Sequence, residues 1–160
     1  MAFKLISFAF NDGDFIPERH SHKGGNLSPP LAWENPPEET VSFALIVDDP
    51  DAPSGLFVHW LVYGISDGTQ ELSEGQRKEP GIGPMKQGRN SFGELGYGGP
   101  EPPSGVHRYF FHLYALDSDL DDLKPGALRE ELDRAMDGHI LKEAVLMGRY
   151  QHRESGTRAA

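Results

Sequence analysis

The chain contains no cysteine. Disulfides, thiolate metal sites and a cysteine nucleophile are therefore excluded together, and any metal would have to be held by His, Asp or Glu. Basic residues are also few, with 15 Lys and Arg against 25 Asp and Glu, a net charge of −10. That balance opposes the counterion release on which binding to nucleic acid or to an anionic membrane depends, so no nucleic-acid partner is expected. Long apolar runs are missing as well. No stretch approaches the ~18 residues of a membrane span, and the opening MAFKLISFAF gives way at once to Asn11-Asp-Gly-Asp14. The expectation is a protein without integral membrane association, in the cytoplasm.

What the chain does have is glycine and proline, 19 and 13 residues of 160. Such a supply of turn formers implies many short strands and a mainly β fold. No repeat or linker interrupts residues 1–160, which read as one domain. Phe3 to Phe10 is a candidate opening strand, and Leu31 to Trp33 a short one inside the proline-rich stretch 17–37. Val41 to Val47, Phe57 to Ile65 and Tyr109 to Leu116 are near-continuous apolar runs, as expected of antiparallel strands inside a sandwich. Residues 66–105 form a long ordered loop, uncommon in a compact domain unless it builds a site. In the C-terminal half, Leu128, Leu132, Ala135 and Met136 recur at helical spacing, with Pro125 before them and Gly138 after, which predicts one short amphipathic helix over 127–136. Ile140 to Tyr150 reads as a final strand in preference to a second helix.

The chemistry gathers at the strand ends. Strict alternation places His59, Leu61 and Tyr63 on one face, with Trp60 and Val62 on the other, and it groups His107, Tyr109 and Phe111. Asp49 falls just past the Phe43 to Val47 strand, where Pro50 and Pro53 stiffen the turn. Three segments can thus deliver Asp49, His59, His107 and Tyr109 to one end of a sandwich. Two readings of Asp49 stand side by side: a turn residue bonding nearby backbone, or a carboxylate at a pocket rim. Asp51 is read as a turn residue with Arg108 as its salt-bridge partner. A zinc pair at His20 and His22 is weighed against an exposed loop, and the loop is preferred. His112, on the opposite face, belongs to core or interface. Ser54, Ser91 and Ser104 have no nucleophile-elbow pattern around them.

Asn26-Leu-Ser-Pro-Pro-Leu-Ala-Trp33, Asp49-Pro-Asp-Ala-Pro53, His59-Trp60, Gly105-Val-His-Arg-Tyr109, Gly138-His-Ile-Leu and Leu146-Met-Gly-Arg-Tyr150 occur in that order along the chain. Taken together they resemble the phosphatidylethanolamine-binding proteins, also called Raf-kinase-inhibitor-like proteins, and most closely their bacterial and archaeal branch. The resemblance implies an antiparallel β-sandwich with Greek-key connections and a small pocket for phosphate, phosphorylated head groups or similar anions. It places Asp49, His59, His107 and Tyr109 in that pocket. The Gly98 to Gly105 segment, with Gly99 and Pro102, becomes the loop whose backbone closes it. The C-terminal helix of vertebrate members has no recognisable counterpart after Tyr150.

Such a pocket calls for hydrogen-bond donors without a permanent charge, since an unpaired Lys or Arg is costly in a dry site. Each imidazole would donate one N–H when neutral and two when charged. Asp49, which would repel an anion, is assigned to orienting a histidine or to accepting a proton from the ligand's amine or hydroxyl. Two function classes follow. One is a binding protein for a small anionic or phosphorylated ligand, with a kinase or protease as a further protein partner, a homodimer as its assembly, and no cofactor. The other is a hydrolase of esters or phosphoesters with His59 or His107 as general base.

Overall fold

The structure, a computed structural model, describes residues 1–152. The region in which no C-terminal helix is expected therefore lies, from residue 153 on, outside the described residues. Two antiparallel sheets face each other. The smaller joins β1 (Lys4–Ile6), β2 (Leu31–Glu34) and β5 (Glu71–Leu72) in the order β1-β2-β5. The larger comprises β3 (Ser42–Asp49), β4 (Phe57–Ser66), β6 (Gly81–Ile82), β7 (Met85–Gln87), β8 (Val106–Leu116) and β9 (Ile140–Gln151), in the order β6-β7-β4-β3-β8-β9. After β4 the chain departs to build β5, β6 and β7 and returns on the far side of β3 as β8, the crossing expected of a Greek-key connection.

Strand β3 is buried along its whole length because it lies between β4 and β8 and both of its faces are covered. Its inner residues Phe43, Leu45 and Val47 join Trp60, Val62, Phe111 and Leu113 against Leu5, Leu31 and Trp33 of the small sheet. Trp33 meets Phe43 edge-on at 5.4 Å. Its outer residues Ala44 and Ile46 join Leu61, Tyr63, Leu132 and Met136 in a second core. The helix α1 (Arg129–Met136) covers that second core.

Several boundaries differ from the sequence expectation, each for a local reason. Only Lys4–Ile6 of the Phe3 to Phe10 run is laddered, because its partner β2 has four residues and Ser7 Oγ then accepts the Ala9 N–H at 3.1 Å in a turn. The helix begins at Arg129, two residues later than expected. Ala127 N–H is held by the Tyr63 hydroxyl at 3.2 Å, and Leu128 stays extended while the Glu131 carboxylate accepts its N–H at 2.8 Å. Asp48 and Asp49 are not beyond β3 but are its last two residues, paired with Val58 and Phe57. The 66–105 loop is ordered and carries the three short strands β5, β6 and β7.

Candidate functional site

The end of the large sheet nearest Asp49 holds a cavity of about 240 Å³, lined by Asp49, Pro53, Phe57, His59, Phe92, Glu101, Pro102, His107 and Tyr109 among others. Each side chain reaches it by a specific local device. Asp49 ends β3, and its Oδ1 accepts the Asp51 N–H at 2.7 Å while its Oδ2 accepts from His107 Nδ1 at 2.6 Å. Both readings of Asp49 thus hold at once: one oxygen shapes the turn and the other orients a histidine. His107 and Tyr109 arrive by plain alternation along β8, which is buried at every second residue in this stretch.

His59 arrives differently. The register between β3 and β4 shifts at Val47/Asp48, where Val47 pairs with Trp60 but Asp48 pairs with Val58, leaving His59 as an extra residue. This β-bulge breaks the parity on which alternation grouped His59 with Leu61 and Tyr63, and it turns the ring to within 5.1 Å of Tyr109. A second shift between Phe43 and Leu45 leaves Tyr63 and Gly64 together opposite Ala44, and the backbone of Gly64 takes the unusual turn. Its φ of +69° is one that a side-chain-bearing residue rarely adopts.

The hydrogen-bond pattern fixes what each ring can offer. His59 Nδ1 lies 2.6 Å from the Gly98 carbonyl. A carbonyl only accepts, so Nδ1 carries the proton and neutral His59 presents a bare acceptor, Nε2, on its other side. Burial lowers the His59 pKa to about 4, outweighing the Gly98 bond and the Asp49 charge, both of which raise it. The expectation that both imidazoles donate to a ligand is therefore corrected for His59. By the same reasoning His107 directs Nδ1–H at Asp49, an ion-pair geometry at 2.6 Å between side chains only 8% and 4% exposed. Tyr109 is 1% exposed, and its hydroxyl has no hydrogen-bond partner among the described residues. Burial, and after it the Asp49 carboxylate, pushes this phenol far above its ordinary pKa, so it remains an O–H donor.

Gly99 is placed differently from its expected part as a backbone donor to a ligand. Its N–H is engaged by Asn26 Oδ1 at 2.7 Å, and a Cβ added there would stand 2.1 Å from the His20 carbonyl oxygen. The glycine is required for close approach of two loops. Pro102 does line the cavity, and its carbonyl accepts from His152 Nδ1 at 2.9 Å. Asp51 and Arg108 form a two-pronged pair beside the site. Among the described residues no group of three or more His, Asp or Glu able to hold a metal ion occurs. His20 is not on an exposed loop but fully buried, with Nδ1 on the Leu27 carbonyl at 2.8 Å. His22 stacks on Phe92 at 4.4 Å and pairs with Glu101 at 3.2 Å. His112 sits on the far face between Asp48 and Glu143.

Sequence reasoning missed the wall. Phe57 and Phe92 meet edge-on at 4.8 Å and face His59. The Phe92 turn is built by the buried Asn90, whose Oδ1 accepts the N–H groups of Phe92 and Glu94 while its Nδ2 donates to the Gly96 carbonyl. Ser91 is then laced to Val58, N–H to carbonyl and hydroxyl from N–H, both at 2.8 Å. The Asn90-Ser-Phe-Gly93 turn signal was readable; its docking beside a bulge was not. Ser54 also lies on the wall, but no hydrogen bond joins it to His107 among the described residues. A second cavity of about 370 Å³, lined by Lys23, Tyr150 and His152 among others, adjoins the far side of the Glu101 to Pro103 segment.

A two-sheet antiparallel sandwich with an Asp–His pair, a buried phenol and a second histidine at one end defines a recognisable class, and comparison with known proteins identifies it. The family model described as phosphatidylethanolamine-binding protein matches residues 6–151. The chain belongs to that family. It is 50% identical over 151 residues to a UPF0098 protein of Methanothermobacter thermautotrophicus, covering 92% of this chain and 97% of that one. To a UPF0098 protein of Aquifex aeolicus it is 46% identical over 150 residues, covering 92% and 88%. Among solved structures it resembles the phosphatidylethanolamine-binding protein homologue CT736 of Chlamydia trachomatis, with a TM-score of 0.87 at 44% identity over 95% of this chain and 99% of that chain. It also resembles E. coli YbcL, described as a member of the mammalian family, with a TM-score of 0.88 at 29% identity over 96% and 100%.

Proposed function

We propose that this chain is a binding protein for a small phosphorylated head group or similar anion, seated between Tyr109, His107 and His59. The observation that carries the reading is the Tyr109 hydroxyl, a buried donor without a protein partner in the wall of the 240 Å³ cavity. Leaving such a group unsatisfied costs about 1–3 kcal/mol, which a ligand oxygen would recover. Among the described residues two other buried polar atoms lack a hydrogen-bond partner, Trp33 Nε1 and His20 Nε2, the latter 3.6 Å from the Glu74 carboxylate, but neither residue lines this cavity. The lining contains no Lys or Arg and includes the carboxylates of Asp49 and Glu101. That favours a ligand with both an acceptor end and a proton-bearing end, as in the phosphate and ammonium of the ethanolamine head group in the family's name. A regulatory role toward a kinase or a protease, and a cytoplasmic location, belong to the same proposal.

Calorimetry with inorganic phosphate and with phosphoethanolamine, at millimolar ligand and at pH 6 and 7, tests it. Binding is expected, with Tyr109→Phe weakening it by about tenfold, as the loss of one good hydrogen bond implies. Absence of heat from both ligands at both pH values rejects the reading.

A further inference from the structure

We propose that the pocket takes its anion together with a donor hydrogen: the bound species is a phosphate-type oxyanion still carrying an acidic hydrogen, or an ester whose ammonium end supplies one, and His59 is the residue that rejects oxyanions bringing none. This rests on the anion reading above and sharpens it to a protonation class.

The geometry requires it. The Gly98 carbonyl 2.6 Å from Nδ1 takes the one proton of neutral His59, so the ring's other nitrogen is a lone pair. That nitrogen has no hydrogen-bond partner among the described residues, and it is not among the sealed polar atoms that include the Tyr109 hydroxyl. The Gly98 N–H in turn donates to the His59 carbonyl at 2.9 Å, so the ring and its own backbone are clamped by one residue and the tautomer cannot invert without breaking the clamp. The charged and titratable groups around His59 are Asp48 and Asp49 from β3, His107 and Tyr109 from β8, and His22 and Glu101 from the facing loops. Glu101 is itself paired with His22 and Lys23, at 3.2 and 3.3 Å. Burial prevails over the acidic neighbours, and His59 stays neutral around pH 7.

An incoming oxyanion thus meets a donor at Tyr109 and an acceptor at His59. Its oxygens satisfy the first; only a donor hydrogen, on a P–OH or on an ammonium group of the ligand, satisfies the second. Sulfate and phosphate are both tetrahedral and similar in size, but near pH 7 sulfate has no proton and phosphate keeps at least one. A bare sulfate oxygen would set one lone pair against another.

The test is the affinity ratio of inorganic phosphate to sulfate at pH 7, measured by calorimetry on the full chain. Phosphate is expected to bind at least about tenfold tighter, the scale on which a site built for a hydrogen bond rejects an analogue lacking it. His59→Asn keeps a short side-chain N–H for the Gly98 carbonyl but removes the Nε2 acceptor, and it is expected to bring the ratio to within about threefold, by the same hydrogen-bond scale. A second readout needs no variant: in the wild type the 15N shift of His59 Nε2 should be that of an unprotonated nitrogen and should move on adding phosphate but not sulfate. Equal or tighter sulfate binding, an unchanged ratio in the variant, or a protonated Nε2 in the free protein at pH 7 each overturns the proposal. Binding of neither anion overturns instead the anion reading beneath it.

Discussion

Arg108 grips Asp51 with both its backbone and its side chain. The Arg108 N–H donates to Oδ2 at 2.9 Å, Nε to the same oxygen at 3.0 Å, and a terminal guanidinium nitrogen to Oδ1 at 2.8 Å. The pair ties the turn after Asp49 to the strand that carries His107 and Tyr109.

The hydrogen bond from Arg108 holds the Asp51 carboxyl at about 2. Because that value is depressed, the pair's contribution to stability is present above the ordinary carboxylate range and is lost as the pH falls toward 2. In Arg108→Ala the Asp51 midpoint, followed by carboxyl 13C shifts, should return toward its ordinary value. Both groups touch solvent, so added salt should shrink the difference. A midpoint that stays low in the variant would show that other groups hold it.

Asp49 and His107 are both buried, and a buried pair broken on one side leaves an uncompensated group. Asp49→Ala should lower the unfolding free energy by about 3 kcal/mol. In a double-mutant cycle with His107→Ala the two losses should be clearly less than additive. Simple additivity would mean the 2.6 Å contact contributes nothing of its own.

The pH dependence of stability combines histidine shifts of opposite sign: burial lowers the pKa of His20 and His59, while that of His112 is raised. His59 has a folded pKa depressed to about 4, so its contribution is full above about 6.5 and declines as the pH falls toward 4. For His112, burial lowers the pKa, but Asp48 and Glu143 together outweigh it and the net shift is upward. Its contribution is full below about 6.5 and is lost as the pH rises through the raised value. Denaturant titrations of His59→Asn should therefore show a flatter acid limb than the wild type, by up to about 3 kcal/mol between pH 6.5 and 4. An unchanged acid limb would mean His59 is already charged in the fold.

Gln87 carries a different kind of risk. It is 1% exposed, accepts the Trp60 indole N–H at 2.7 Å, and donates to the carbonyls of Arg77 and Glu79 at 2.7 and 2.8 Å. Gln87→Leu would strand one donor and two acceptors together, and a loss of about 3 kcal/mol or more is expected in chemical denaturation. A variant within 1 kcal/mol of the wild type would mean that these groups find other partners.

Gly99→Ala should act on the pocket through its loop. With a backbone oxygen 2.1 Å from the new Cβ, the 98–103 segment has to move. Phosphate affinity should fall by about tenfold or more, as for loss of a positioned contact, and the exchange protection of the Gly98 amide should fall with it. Wild-type binding in this variant would show that the loop is not coupled to the site.

Much of this was legible in the chain because it rests on period and punctuation. The apolar runs of β3, β4 and β8 were visible, and so was the helical spacing from Leu128 to Met136. Alternation correctly grouped His107, Tyr109 and Phe111. It misgrouped His59, because a bulge is one residue that no periodic pattern announces. The Phe57 and Phe92 wall was hidden for another reason: it depends on where the long excursion after β4 docks, and the bonds that decide this, from Asn90 and Ser91, either join positions far apart in sequence or lie within a turn whose signal does not say where it docks. The orphaned Tyr109 hydroxyl was likewise unreadable, since the lack of a partner is a property of the assembled fold.

The surplus residue at His59 puts the rim of the molecule and its interior in separate phases. From Trp60 onward, inside and outside are set by pairing with β3; upstream, through Val58 and Phe57, they are set afresh. Side-chain choice at the mouth of β4 can thus change without turning its core inside out.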